Sequence, residues 1–275
     1  MHAKDASAEG DGISWVLLNF PPMMRLEIDR EGEIDIAQAS GPMADLQREL
    51  VKALPQYKHL YKVVTYPRAQ KLFESHGGYC TIMFLENKDR SEYLYFGDTI
   101  AMATPPGLVT HKKNEALLKI SEQNQLVDLE QLLRTQDFQI GLVSGRSFSP
   151  RIDAALVDPK KPVFKMVIYE AMGSLFKMLN AKRVDGVLAY YMELAEEQER
   201  NPAAGDLRFY QLKQDHKTIS LPVSCEKSPW GKKTLGQISV AVKDEGVKQK
   251  LTALIKQSLL IERPKHSEEP PILLR

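Results

Sequence analysis

The residues with the greatest chemical reach in this 275-residue chain are few and widely spaced. The segment Gly141-Leu142-Val143-Ser144-Gly145 ends an apolar run and reads as a strand running into a turn and a helix. A hydrolase nucleophile elbow needs Gly-x-Ser-x-Gly, so that the serine is held strained between two close backbone approaches. Ser144 has no glycine two residues before it, and that chemistry is excluded. The same outline suits binding instead: Gly145, Arg146 and Ser147 at a helix start would offer free N–H groups and the positive end of the dipole to an anion. A second reading of these residues is equally open, in which Ser147 or Ser149 only caps its helix. Gly231-Lys232-Lys233-Thr234 resembles the end of a phosphate loop, but Glu226 stands where the first glycine belongs,.

Metal and acid–base chemistry fare no better. The six histidines, His2, His59, His76, His111, His216 and His266, form no i, i+4 pair, so isolated surface or turn residues are the simpler reading,. No metal site is expected, and no cofactor. Glu196-Glu197 lies in a charged helical stretch and reads as a solvated face rather than a glycosidase pair. No set of nucleophile, base and orienting residue emerges, and a non-enzymatic protein is expected. Lys and Arg total 37 against 36 Asp and Glu, so the net charge of +1 gives no broad attraction to nucleic acid or anionic lipid,. Two cysteines, Cys80 and Cys225, rule out a cysteine-only zinc site and leave one disulfide or two buried thiols open,.

The elements that would position these residues follow from periodicity. Ile13–Phe20 is an apolar, β-branched and aromatic strand stopped by Pro21-Pro22, and a helical pattern over Ala44–Leu54 ends at Pro55,. A strand (Tyr57–Tyr66), a short helix (Arg68–Ser75), a turn at His76-Gly77-Gly78 and a strand (Tyr79–Leu85) follow. Thr99–His111 reads as extended, with Thr104-Pro105-Pro106-Gly107 inside it, which suggests a sheet edge or a passage between lobes. The pattern restarts with strand Phe138–Val143, a helix from Ser149, strand Val163–Ile168, helix Ala171–Ala181 and strand Val184–Tyr190. Strands Asp206–Leu212 and Ile219–Ser224 and helices Trp230–Val242 and Val247–Leu260 close the chain. Alternating strands and helices predict a largely parallel sheet in each of two units. Val247, Leu251, Leu254, Ile255 and Leu259 repeat at helical spacing and are read as core.

Ligands of open α/β sheets bind beyond the carboxyl ends of the strands. That rule selects Phe20 to Arg25 with Met24 among them, Tyr66 with Arg68, Arg146 with Ser147, and Tyr190 with Tyr191. Any single aromatic in this group is more often a packing residue; their shared place at strand ends is the argument. No run reaches the roughly 20 apolar residues of a membrane span, and the polar Met1–Gly12 segment leads to the expectation that a secretory signal is absent or removed.

The order of these stretches resembles a known family. Trp15-Val16-Leu17-Leu18-Asn19-Phe20-Pro21-Pro22, Gly78-Tyr79-Cys80 leading to Arg90 and Phe96, Ile140 to Ser147, Arg183-Val184-Asp185-Gly186, and Cys225 to Gly231 are similar to periplasmic solute-binding proteins of type II architecture. Within them the likeness is to the polar amino-acid receptors of ABC transporters and to a proteobacterial branch of that family. It covers about residues 12–262. The resemblance implies two α/β lobes joined by two hinge strands: lobe 1 from 12–111 plus 218–262, lobe 2 inserted as 112–217, and tails at 1–11 and 263–275.

It also implies a periplasmic monomer that captures a small-molecule ligand by lobe closure and works with an ABC permease or, alternatively, a membrane sensor. In such receptors an arginine forks to the ligand carboxylate and an aspartate meets its ammonium; the alignment puts Gly107 and Tyr190 at those positions. An ordinary free α-amino acid would then leave charges buried and unpaired, so the expected ligand is polar or acidic, met by Arg68, Arg146 and Ser147 and stacked on Phe20 and Tyr190. In this topology Cys225 ends a strand that re-enters lobe 1 antiparallel beside the strand that Cys80 begins, so the two come to the same sheet end, and a disulfide there would stabilise by about 4–5 kcal/mol in the chain-entropy treatment.

Overall fold

A computed structural model describes residues 12–28, 34–118, 126–134, 138–158, 162–168, 171–214 and 219–261. The expected tails at 1–11 and 263–275, and the side chains of Ile255 and Leu259, lie outside what it describes. The chain forms two compact units, the first from residues up to Met102 and again from Ser220 to Lys256, the second from Ala103 to Ile219.

The first unit is built on strands β1 (Gly12–Leu17), β2 (Lys58–Val63), β3 (Tyr79–Thr81), β4 (Leu94–Ala103) and β10 (Ile219–Glu226), in the order β2-β1-β3-β10-β4. β1 lies between two parallel neighbours, β2 and β3, and is buried along its whole length. This is why its sequence is continuously apolar rather than alternating. β2, at the sheet edge, shows the alternation that β1 lacks, with exposed and half-buried residues in turn,.

Helix α1 (Pro42–Lys52) buries Met43, Ala44, Leu46 and Leu50 at helical spacing,. Pro42 in its first turn and the Asp45-to-Lys52 order of charges suit its ends,. Before it, Gly41 has φ of 102°, and an added Cβ would stand 2.2 Å from the Pro22 carbonyl oxygen. Only glycine lets the loop after β1 close against the start of α1. Helix α2 (Tyr66–Glu74) buries Ala69 and Phe73, and Phe73 meets Phe84 edge-on at 5.5 Å,.

The second unit holds β5 (Gly107–His111), β6 (Ile140–Val143), β7 (Val163–Met166), β8 (Gly186–Ala189) and β9 (Leu207–Gln211), ordered β7-β6-β8-β5-β9. Helices α3 (Leu129–Leu133), α4 (Pro150–Leu156), α5 (Ala171–Asn180) and α6 (Tyr191–Arg200) belong with it. Neighbouring residues of one strand serve opposite cores, as the pleat requires. Leu108 and Leu188 pack with Phe138, Phe148 and Ile152. Val109, Val187 and Ala189 pack with Leu175, Phe176 and Leu194.

One expectation is corrected here. The sheets are mixed rather than largely parallel: β10 runs antiparallel to β3, as the resemblance implied, and β5 runs antiparallel to both β8 and β9. These strands do not arrive by a helical crossover within their own unit, so the rule that makes βαβ units parallel does not govern them. β5, within the 12–111 range expected for lobe 1, pairs as an inner strand of the second sheet, and Thr104-Pro105-Pro106 is the break between β4 and β5.

β10 re-enters the first unit beside β3 with Cys225 opposite Cys80. The two form a disulfide with a Cα separation of 4.0 Å, across 145 residues of sequence. Next to it Glu226 is buried and accepts hydrogen bonds from the N–H groups of Gly78 (3.0 Å) and Tyr79 (2.9 Å). Ser228 caps helix α7 (Pro229–Lys243) by accepting from the Gly231 N–H at 3.0 Å,. A Cβ on Gly231 would lie 1.9 Å from the Glu226 carbonyl oxygen, so this glycine serves a tight strand-to-helix turn, with no phosphate loop around it,. Helix α8 (Glu245–Ile261) buries Leu251 and half-buries Val247 and Leu254.

His59 on β2 is held as one tautomer. The Trp15 indole donates to its Nδ1 at 2.9 Å, so Nε2 carries the proton and lies 3.0 Å from the Leu54 carbonyl oxygen,. Burial pushes its pKa below the ordinary 6.5. The unfolded chain then binds more protons than the folded one below that value, and stability present above pH 6.5 is lost as pH falls. We expect the difference in denaturation midpoint between wild type and His59→Gln to shrink from pH 7 to pH 5. A difference constant with pH would refute this linkage.

Candidate functional site

In the first unit, β1, β2 and β3 are parallel, so the segments that leave their carboxyl ends emerge along one edge,. Phe20 follows β1 and is half-buried; its backbone exchanges two hydrogen bonds with Met24, at 2.8 and 2.9 Å, around the cis peptide Pro21–Pro22. Met24, expected to contact ligand, is wholly buried, because this short hairpin turns its side chain into the core. Tyr66 follows β2 and is half-buried, with its ring 5.5 Å from that of Phe84. Arg68, in the first turn of α2, is exposed.

The structure adds Arg90 to this edge. It follows β3, is 4% exposed, and its guanidinium lies 4.4 Å from the Phe84 ring centroid and 5.9 Å from that of Tyr66,. Its Nη1 donates to the Leu85 carbonyl at 2.8 Å. The resemblance includes Arg90 among its matching residues, but a lone arginine in a polar stretch carries no periodic signal of burial, and only the fold shows that it is inside.

In the second unit, β6 and β8 are parallel, and their carboxyl ends bring together Arg146, Ser147, Tyr190 and Tyr191. Arg146 and Glu193 form a bidentate ion pair at 3.0 and 3.1 Å, with side chains 3% and 1% exposed,. The Tyr190 N–H donates to Glu193 Oε2 at 2.8 Å, as expected where a carboxylate in the first turn of α6 reaches back to the residue before the helix,. The Arg146 guanidinium lies 4.8 Å from the Tyr190 ring centroid and 5.4 Å from that of Phe148. Complete burial pushes the Glu193 carboxyl above its ordinary pKa, outweighing the lowering by the Arg146 charge and its hydrogen bonds,.

Arg146, expected to hold an anionic ligand, is thus engaged by a carboxylate of its own chain. Sequence reading placed Glu196 and Glu197 on this helix but not Glu193, whose partner is 47 residues away. The cap belongs to Ser149, whose Oγ accepts from the Ile152 N–H at 3.3 Å. Ser147 donates instead to Asp153, which also accepts from the Phe148 N–H at 2.9 Å. The Arg146 N–H closes a turn to the Val143 carbonyl at 3.2 Å. Tyr190 is 8% exposed, and Tyr191 is half-buried and edge-on to Phe209 at 5.7 Å. At Gly107 a Cβ would stand 2.5 Å from both the Phe209 ring and the Tyr210 carbonyl oxygen, so no arginine fits that position.

No protein-family profile matches the sequence, and no curated protein matches it. Solved structures do. The amino acid ABC transporter substrate-binding protein AbpA from Streptococcus pneumoniae, bound to L-arginine, superposes with a TM-score of 0.64 at 17% identity over 93% of this chain and 97% of its own. The solute receptor for L-cysteine of Neisseria gonorrhoeae gives 0.62 at 17% identity, covering 91% of each chain. The periplasmic VFT2 domain of Bordetella pertussis BvgS gives 0.63 at 14% identity, covering 89% of this chain and 92% of the domain. At these identities the likeness is one of fold. Two α/β units, each with a mixed five-stranded sheet, and a first unit assembled from two stretches of chain define a fold of the type II periplasmic-binding-protein kind.

Proposed function

We propose that the chain is an extracytoplasmic, non-enzymatic solute-binding protein that captures a small polar or acidic molecule by closure of its two lobes and delivers it to an ABC-type permease. The observation that carries this reading is the matched placement of Phe20, Tyr66 and Arg90 in one unit, and of Tyr190 and Tyr191 in the other. All follow carboxyl ends of parallel strands, where open α/β sheets take ligands,. The fold shared with substrate-binding proteins of amino-acid transporters supports it. A periplasmic address agrees with the buried Cys80–Cys225 disulfide,. The likeness to the BvgS periplasmic domain favours a second reading, a sensing domain that presents its ligand to a membrane signalling partner.

Native mass spectrometry of the protein purified without denaturation, followed by thermal-shift screening of metabolites, tests the proposal. We expect one class of small molecule to raise Tm, the radius of gyration to fall on binding, and Tyr66→Ala to weaken that binding at least about tenfold, or 1.4 kcal/mol. A ligand that binds with unchanged scattering would refute closure; no ligand from a broad screen would refute the receptor reading.

A further inference from the structure

The Arg146–Glu193 pair has the composition of an anion subsite that is already filled. Three donors converge on one carboxylate: Arg146 Nη1 at 3.0 Å, Arg146 Nη2 at 3.1 Å and the Tyr190 N–H at 2.8 Å. Both side chains are almost wholly withdrawn from water, and the guanidinium is stacked against Tyr190 and Phe148. A bidentate guanidinium with a backbone N–H beside it is how proteins hold the carboxylate or phosphate of a bound molecule. The group is built at the carboxyl ends of β6 and β8, the edge where an α/β sheet takes its ligand,.

We infer that Glu193 occupies in cis the anion subsite of the second unit, so that this unit meets the ligand with uncharged aromatic surface. The ligand class follows: the part of the molecule that the second unit takes is apolar or a ring able to rest on Tyr190 and Tyr191, and it carries no anionic group for Arg146. This statement about the ligand rests on the solute-receptor reading; the occupation of the subsite by Glu193 does not.

The experiment uses the full chain and sodium propionate, an anion of the size of the side chain removed, against sodium chloride at equal ionic strength. Glu193→Ala is expected to unfold at lower temperature than wild type and to recover with propionate by about 2–4 °C or more, with half-saturation in the millimolar range. Wild type and the double variant Arg146→Met, Glu193→Leu are expected to show no response specific to propionate. The inference is overturned if wild type is stabilised by propionate and the double variant is not, since Arg146 would then be open to external anions. It is equally overturned if Glu193→Ala, refolded with and without propionate, gains nothing from it. The receptor reading fails on a separate result, the absence of any ligand for wild type in the metabolite screen.

Discussion

Replacing both Cys80 and Cys225 by serine is expected to lower the unfolding free energy by about 5 kcal/mol, the chain-entropy value for a cross-link that closes a loop of 145 residues,. That is a large share of the 5–15 kcal/mol typical of a folded protein. The loop contains the whole second unit between β5 and β9, so in the reduced unfolded chain β10 must find β3 across that entire insertion,. Both cysteines are fully buried, so we also expect the bond to resist reductant until the first unit opens,. Urea unfolding of wild type and Cys80→Ser, Cys225→Ser checks this. An unchanged midpoint at equal m-value would show that the bond adds nothing to the native pairing of β3 with β10.

The second large effect is expected at Glu193. Glu193→Ala leaves the Arg146 guanidinium, 3% exposed, without its countercharge, and breaking one side of a buried pair in this way costs about 3–5 kcal/mol,. The pair as a whole is worth far less, because each ion has given up its hydration. Arg146→Met with Glu193→Leu should therefore lie within about 1–2 kcal/mol of wild type. The pH dependence has a definite sign. The folded-state pKa of Glu193 lies above the ordinary 4.5, so the folded protein holds more protons than the unfolded chain in the window just above that value. Its contribution is full below the ordinary pKa and declines as pH rises through the folded-state value. Denaturant midpoints of wild type relative to the double variant, measured from pH 4 upward, should fall. A double variant as unstable as Glu193→Ala would show that the pair stabilises the unit outright.

Much of the architecture is readable from local pattern, and the reason is that it is local. The apolar run Ile13–Leu18 must be a strand covered on both faces, Pro21-Pro22 must end it, and Pro55 must stop α1, whatever the rest of the chain does,. The same holds for strand ends as places for aromatic residues: Phe20, Tyr66, Tyr190 and Tyr191 do follow carboxyl ends of strands. What the pattern does not carry is the fate of charged side chains. Arg146 reads as an anion-binding residue at a helix start, yet it is buried against Glu193, in the first turn of α6, a helix that only the parallel pairing of β6 and β8 brings alongside.

The two cysteines are properties of the one-dimensional chain, and periodicity with the order of elements sufficed to expect an α/β protein of two units, while the pairing of Cys80 with Cys225, inside the first unit, was implied by the family resemblance. Only the tertiary structure decided that β5 runs antiparallel to its neighbours in the second sheet, that Arg90 lies inside the first unit beside Tyr66, and that Arg146 of the second unit is buried and already paired. The physical reason is range. Helix and strand signals act over a few residues, whereas sheet direction, burial of a charge and the identity of its partner depend on segments 47 to 145 residues apart, which are brought together only by folding.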